Sequence, residues 1–251
     1  MRTVVVALLL AALVAVLGAA ARAHRPAPFG DDLAAHSTSV PADAVRLHGD
    51  AVQGYDDTTG VTAWTYRRPG STPTRIVPLA HEVALVAWSD GMLTGVTPGA
   101  PEIRWHRFIK IDEGGRPLLH ASPGGETFLA VTSGLFVAYN TDDGTIRTDT
   151  LPPPGCSYVP AHSVSLDDGT LVVARSCPGD GPSAVDAFTA DGRVWKRDSG
   201  PDVRPVLGTG GSLALCQGPL LRGMLVDPAT GAAVPDLPGA VRQPKPLCTA
   251  R

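Results

Sequence analysis

Five times along this chain of 251 residues, a turn built on one glycine follows a short apolar stretch. The turns read YDDTTGVTAW (55–64), VTPGAPEIRW (96–105), AYNTDDGTIR (138–147), AFTADGRVWKR (187–197) and LVDPATGAAV (225–234). Aligned on Gly60, Gly99, Gly144, Gly192 and Gly231, they recur at intervals of 39, 45, 48 and 39 residues. A period of about 43 residues made of short strands is the length of one β-propeller blade. The spacing predicts an all-β domain of about five four-stranded blades.

The intervening sequence agrees. After Pro41 no stretch free of both Gly and Pro exceeds 12 residues, which interrupts helices and leaves room for strands of 4 to 8 residues. TFLAVTSGLFVAYNTDDGTIR (127–147) reads as three strands, and SVSLDDGTLVVARS (163–176) as a hairpin turning at Asp168-Gly169. LAHEVALVAWSD (79–90) is long enough for a short helix but occupies a strand position in its unit, so it is assigned as strand. Residues 42–251 form the propeller in this reading. Six blades would result if residues 235–251 and the segment near Pro41 built a further sheet together, and an array that does not close is the remaining alternative.

Ahead of the repeats lie two different segments. Residues 4–21 (VVVALLLAALVAVLGAAA) are uncharged and mostly aliphatic, with Arg2 before them and Arg22, His24 and Arg25 after. As a helix they would span about 27 Å, close to the thickness of a bilayer core. Residues 1–25 therefore read as a membrane signal-anchor; a signal peptide cut after Ala19-Ala20-Ala21 or Ala21-Arg22-Ala23 is the alternative, disfavoured by the length of the apolar run. Residues 26–41 (PAPFGDDLAAHSTSVP) are polar, small and aperiodic, which suits a stalk or linker.

The four cysteines, Cys156, Cys177, Cys216 and Cys248, all fall in the C-terminal half, with no C-x-x-C and no histidine at zinc spacing. An even number so placed fits two disulfides in an oxidising compartment, against the alternative of four buried thiols. Cys156 and Cys177 flank the hairpin at Asp168-Gly169, so antiparallel strands would bring them together; Cys216 with Cys248 follows by elimination. The domain is then expected outside the cytoplasm, held to the cell membrane by its single apolar segment. The net charge of −3 gives no footprint for nucleic acid. Only Lys110, Lys196 and Lys245 of the 21 basic residues are lysine, a bias that reads as a GC-rich bacterial genome.

The first turn, with Asp56, Thr59, Gly60 and Trp64, resembles the repeat of the pyrroloquinoline-quinone-like (quinoprotein-like) β-propellers. In such a repeat Asp and Thr cap a tight turn between the third and fourth strands, Gly takes positive φ, and Trp packs between neighbouring blades. The match weakens along the chain: Trp105 lies six residues after its glycine and Trp195 three, while Thr148 and Pro235 stand where the third and fifth units would place a Trp. Quinone-dependent enzymes of this resemblance carry adjacent cysteines against the cofactor, and this chain has none. No cofactor is expected, since the same blades serve enzymes and scaffolds alike.

Other chemistry is sparse. The acidic pairs Asp31-Asp32, Asp56-Asp57, Asp112-Glu113, Asp142-Asp143 and Asp167-Asp168 mostly flank turn glycines, where Asp caps its own backbone more often than it binds calcium. The seven histidines show no metal spacing, and no G-x-S-x-G, P-loop or G-x-G-x-x-G occurs. Basic residues do gather after the aromatic of three units, at Arg67, Arg68, Arg107 and Arg197. On outer strands they would guard blade edges, or form a rim meeting anionic head groups or wall polymers. The sequence thus predicts a membrane-tethered, extracytoplasmic propeller that binds or scaffolds without catalysis, with a protein partner or an anionic cell-surface ligand. A small lactonase-like hydrolase with a metal in the central channel competes; it would converge acidic and amide side chains at one channel mouth, where a scaffold would show small and apolar ones.

Overall fold

The structure is a computed structural model describing residues 30–37, 39–112, 115–179, 181–208, 211–217, 222–234 and 248. Five antiparallel sheets follow one another along the chain. The first contains β1 (Asp32–Ala35), β2 (Ala44–His48), β3 (Ala51–Tyr55) and β4 (Thr62–Arg67), ordered β1-β4-β3-β2. The second is the meander β5 (Pro73–Pro78), β6 (Ala84–Trp88), β7 (Met92–Thr97) and β8 (Glu102–Phe108). The third runs β9 (Leu118–Ala121), β10 (Thr127–Val131), β11 (Phe136–Asn140) and β12 (Ile146–Thr150). The fourth runs β13 (Ser157–Ser165), β14 (Leu171–Cys177), β15 (Gly181–Thr189) and β16 (Gly192–Asp198). The fifth has β17 (Arg204–Leu207), β18 (Leu213–Gln217) and β19 (Arg222–Val226), and an isolated bridge from Val226 to Ala233 occupies the place of a fourth strand. The innermost strands β2, β5, β9, β13 and β17 touch in that order. This is the β-propeller arrangement expected from the 43-residue period.

Each blade is buried on the faces it turns to its neighbours, and that explains its sequence. Four apolar cores join consecutive blades: Val52, Trp64 and Tyr66 with Val86 and Trp88; Leu85, Leu93 and Trp105 with Phe128 and Tyr139; Leu129 and Phe136 with Tyr158 and Phe188; Val172, Val185 and Trp195 with Leu213 and Val226. Strand β6 sends Ala84, Val86 and Trp88 into the first core and Leu85 and Ala87 into the second. A strand packed on both faces has no polar side to alternate with, so its sequence is one continuous apolar run. The preceding residues of that run, 79–83, form a loop instead, with His81 and Glu82 both at φ 55°.

The linker reading needs one correction. Residues 32–35, inside the segment assigned as stalk, form β1 on the outer edge of the first blade, where Leu33 stands opposite Tyr66. Four residues without alternation give no strand signal; the partner edge on β4 and the packing of Leu33 against the first core create the strand. Residues 4–21 and the rest of the 1–25 segment lie outside the described residues, and among the described residues no helix is long and apolar enough to cross a membrane.

Both disulfides are formed, Cys156–Cys177 and Cys216–Cys248. The register explains the first: Ser157 pairs with Ser176, so the hairpin that turns at Asp168-Gly169 ends with its two cysteines side by side. The second fastens the chain near its C-terminus to β18, with Cys248 buried. Replacing Cys156 and Cys177 by Ser should cost about 2–4 kcal/mol, because the bridge closes a loop of about 20 residues in the unfolded chain. Urea unfolding of the double variant against the parent measures it, and an unchanged midpoint would refute the claim.

Candidate functional site

The residues picked out by the repeat converge on the boundaries between blades. In four blades the hairpin joining the third and fourth repeat strands carries the same one-residue register shift, between Gly54/Tyr55, Gly95/Val96, Ala138/Tyr139 and Ala187/Phe188. The shift sets Trp64, Trp105, Thr148 and Trp195 opposite Gly54, Gly95, Ala138 and Ala187. Glycine is needed in the first two blades, since a Cβ at Gly54 or Gly95 would lie 2.0 or 2.3 Å from the indole of the paired Trp. Each indole N–H then donates to a turn carbonyl of the next blade: Trp64 to Pro98 at 2.8 Å, Trp105 to Thr141 at 2.9 Å and Trp195 to Pro228 at 2.8 Å.

This geometry corrects the glycine alignment. Register makes Trp64, Trp105, Thr148 and Trp195 equivalent, at intervals of 41, 43 and 47. Gly99 is not at positive φ and lies two residues from the row of Gly60, and Gly192, at φ 116°, lies one residue off. Gly60, Gly144 and Gly231 do share one turn: φ 73°, 64° and 66°, with each glycine N–H donating to the carbonyl of Asp56, Asn140 or Asp227. Asp56 Oδ1 accepts from the amides of Thr58 and Thr59, and Asp227 Oδ1 from those of Ala229 and Thr230, so these carboxylates serve their own turns. Where the third blade has Thr148 in place of Trp, Arg147 pairs with Asp191 of the fourth blade at 2.6 Å.

Three of the four arginines expected on an outer rim are turned inward. Arg107 Nη2 donates to the Asp143 carbonyl at 2.9 Å and its Nε to that of Gly144; Arg197 Nη1 donates to the Gly231 carbonyl at 2.8 Å. Both follow the Trp by two residues, so on a strand they face the same neighbour as the indole. Arg68 is 8% exposed, grips both Asp90 oxygens at 2.9 and 3.0 Å and reaches Asp31 at 3.3 Å. Asp31 also accepts from Tyr66 Oη at 3.1 Å and contacts His106 Nε2 at 2.6 Å, and burial with the nearby carboxylate pushes the Tyr66 phenol far above its ordinary range. Only Arg67 remains at the surface, 3.4 Å from Asp50. The Trp-x-Arg spacing carried the signal for Arg107 and Arg197; nothing in sequence pointed to Arg68 meeting Asp31.

A polar latch missed by sequence joins blades two and three. His81 Nδ1 lies 2.5 Å from Asp142 and Nε2 3.3 Å from Glu126, all exposed. The hydrogen bond that His81 Nδ1–H donates to Asp142, then the charges of Asp142 and Glu126, raise the His81 pKa.

The channel strands carry a different pattern. β2, β5, β9, β13 and β17 contain no Asp or Glu, yet Arg75 lies on β5, His120 on β9, His162 on β13 and Arg204 on β17. His162 belongs to a three-residue bulge, Pro160-Ala161-His162, that pushes β13 out of register with β14. Its Nδ1 and His120 Nε2 are buried without a hydrogen-bond partner. Burial, then the charge of Arg75, lowers the His120 pKa; burial, then Arg204, lowers that of His162, against an opposing effect of Asp202. Beside the bulge a cavity of about 210 Å³ opens between Ile111, Arg116, Thr132, Ser133 and Ala161. Among the described residues no three His, Cys, Asp or Glu side chains gather to hold a metal ion.

The chain matches no protein-family model and no curated protein. Solved structures similar to it include a protein of unknown function from Bacteroides caccae, at 13% identity and TM-score 0.41, covering 78% of this chain and 72% of that one. BamB from Moraxella catarrhalis is 15% identical with TM-score 0.42, over 80% of this chain and 78% of that one. The C-terminal WD40 domain of Sif2 is 10% identical with TM-score 0.48, over 80% and 62%. With likeness this distant, the fold assignment rests on the chain's own sheets and cores.

Two measurements test these contacts. Gly144→Ala should destabilise more than Gly60→Ala: both force a side chain into positive φ, costing about 1–2 kcal/mol, but only at residue 144 would the new Cβ strike an indole, 2.7 Å from Trp105. Equal losses in thermal unfolding would remove the docking of Trp105 on this turn as a stabilising contact. For the latch, a raised folded-state pKa means that its stabilisation is full below the ordinary histidine value of about 6.5 and disappears as pH rises through the raised one. The melting temperature should therefore fall over that range in the parent and change less in Asp142→Asn; parallel pH profiles would contradict it.

Proposed function

We propose that this protein is an extracytoplasmic, membrane-tethered β-propeller of the quinoprotein-like repeat type, which binds or scaffolds partners and performs no catalysis. The observation that carries the location is the pair of disulfides, which together take up all four cysteines of the chain. Bridges of this kind persist in oxidising compartments. The apolar segment 4–21 supplies the tether, and the capped Asp-x-x-Thr-Gly turns at Gly60 and Gly231, with indoles bonded across blades, support the repeat type.

The binding reading is favoured over the metal hydrolase by the chemistry of the channel strands. A hydrolytic metal needs converging oxygen or neutral nitrogen donors. Among the described residues no three His, Cys, Asp or Glu side chains converge on these strands, and the turn carboxylates Asp56, Asp143 and Asp227 are committed to backbone amides and neighbouring hydroxyls. The channel is also not the small, apolar surface expected of a plain scaffold, so binding there involves charge.

Fractionation of cells, with protease added before lysis, tests location and tether together. The full-length protein should sediment with membranes and lose its domain to external protease. Recovery of intact, protected protein from the cytosol would overturn the proposal. Affinity capture from solubilised membranes then identifies a protein partner.

A further inference from the structure

The two disulfides sit in different surroundings. Cys216 and Cys248 are both buried. Cys156 and Cys177 are both partly exposed, at the open end of the β13–β14 hairpin, and are flanked by exposed Pro154, Gly155 and Pro178. Beside their sulfurs lies a buried cation. Arg175, two residues before Cys177 on β14, places Nη1 3.1 Å from Cys177 Sγ and 3.7 Å from Cys156 Sγ.

The charges around that guanidinium do not cancel within the buried cluster. Asp186, fully buried, accepts from Arg175 Nε at 2.8 Å on one oxygen, and its other oxygen lies 3.7 Å from Arg193 Nη1. Two guanidinium groups therefore share one buried carboxylate. Asp198, 3.7 Å from Arg175 Nη2, is 91% exposed, so water screens its charge. Tyr158, whose phenol is pushed up to about 12 by burial and then by Asp186, stays neutral at this place. The surplus positive charge faces the sulfurs. A guanidinium next to a cysteine favours its thiolate, and thiol exchange is faster when the departing sulfur is the more stable thiolate and the attacked one is accessible.

We propose that Cys156–Cys177 is a thiol-exchange site, at which the thiolate of a low-molecular-weight thiol attacks Cys156 Sγ and Cys177 departs as a thiolate held by Arg175. The new sulfur–sulfur bond forms as the old one breaks, the bonding pair leaves with Cys177 Sγ, and the thiol stays on Cys156 as a mixed disulfide. A second thiolate then attacks the sulfur of that adduct, leaves as the symmetric disulfide of the small thiol and frees Cys156 as a thiolate. Cys156 is the sulfur attacked because Cys177, nearer to Nη1, is the better leaving group. The reaction is stoichiometric, goes beyond the binding reading and releases the 151–156 connection between blades three and four from β14.

Incubation of the full-length protein with reduced glutathione, quenching by alkylation and peptide mass mapping test the site. The adduct should lie on Cys156, with Cys177 free and Cys216–Cys248 intact. An adduct on Cys177, or opening of Cys216–Cys248 first or at the same rate, overturns the proposal. Arg175→Gln combined with Asp186→Asn removes opposite charges together, so neither is stranded; the folded double variant should open at least about tenfold more slowly. In Cys156→Ser the remaining Cys177 thiol should be alkylated by iodoacetamide with a pH midpoint well below the ordinary value of about 8.5. Adding Arg175→Gln and Asp186→Asn should return the midpoint to that value. A midpoint that is ordinary from the start contradicts the role of Arg175, and opening by a dithiol protein but not by glutathione contradicts the small-thiol assignment. Location and partners are read by fractionation and capture, so the two readings fail separately.

Discussion

At three boundaries of this propeller, from the first blade to the second, the second to the third and the fourth to the fifth, an indole N–H bonded to a turn carbonyl fastens one blade to the next, and the rest of the structure depends on that contact. The indole lies across its own third strand, which demands glycine at Gly54 and Gly95, and its N–H reaches the carbonyls of Pro98, Thr141 and Pro228. A buried N–H left unpaired would cost about 1–3 kcal/mol, so the docking fixes both the distance and the rotation of the neighbouring hairpin. The apolar cores are then packed around hairpins already in place. Trp105 stacks on Phe128, and Phe136 on Phe188, with centroids 5.5 and 4.1 Å apart.

Charge reinforces the same boundaries. The left-handed turn at Gly144 or Gly231 presents a carbonyl that the sheet ladder does not use, and Arg107 and Arg197 supply its donor. Between blades three and four, where the repeat has no Trp, an ionic contact stands in, Arg147 with Asp191, and within the fourth blade Arg175 pairs with buried Asp186 at 2.8 Å. Asp31 performs a related task at the start of the chain, gathering Tyr66, Arg68 and His106 from two blades. Removing Arg68 from this cluster would leave the buried Asp31 carboxylate without its guanidinium partner, so the cluster holds the residue preceding β1 to the domain.

The parts of this fold that were legible in sequence are those set by local chemistry. Asp56, Thr59 and Gly60 announce their turn because Asp caps backbone amides and Gly accepts positive φ; the hairpin at Asp168-Gly169 brings Cys156 beside Cys177 for the same local reason. The parts that were not legible depend on partners far along the chain. Gly99 looked like Gly60 but lacks its conformation, because a one-residue bulge shifts the hairpin and only the Trp row preserves the register. Arg68 looked like an edge guard because Asp31, 37 positions away, and Asp90 gave no sign of meeting it. Likewise β1 exists because an open edge on β4 and a partly filled core accept it, neither of which is written in DLAA.

The same division of labour explains why unpaired cations sit on the axis. Bulges, indoles, arginines and apolar cores are concentrated on the outer three strands of each blade, whereas the innermost strands are shorter or bulged and less buried: β2, β9 and β17 are only partly covered, against complete burial of β6 and β10. A position with little packing to lose tolerates a charged residue at small cost. The guanidinium groups of Arg46, Arg75 and Arg204 on these strands nevertheless repel one another, and no carboxylate on the strands themselves offsets that repulsion. The outer hairpins hold the blades in position against it, leaving the channel as the part of the molecule whose charge is not required by the fold.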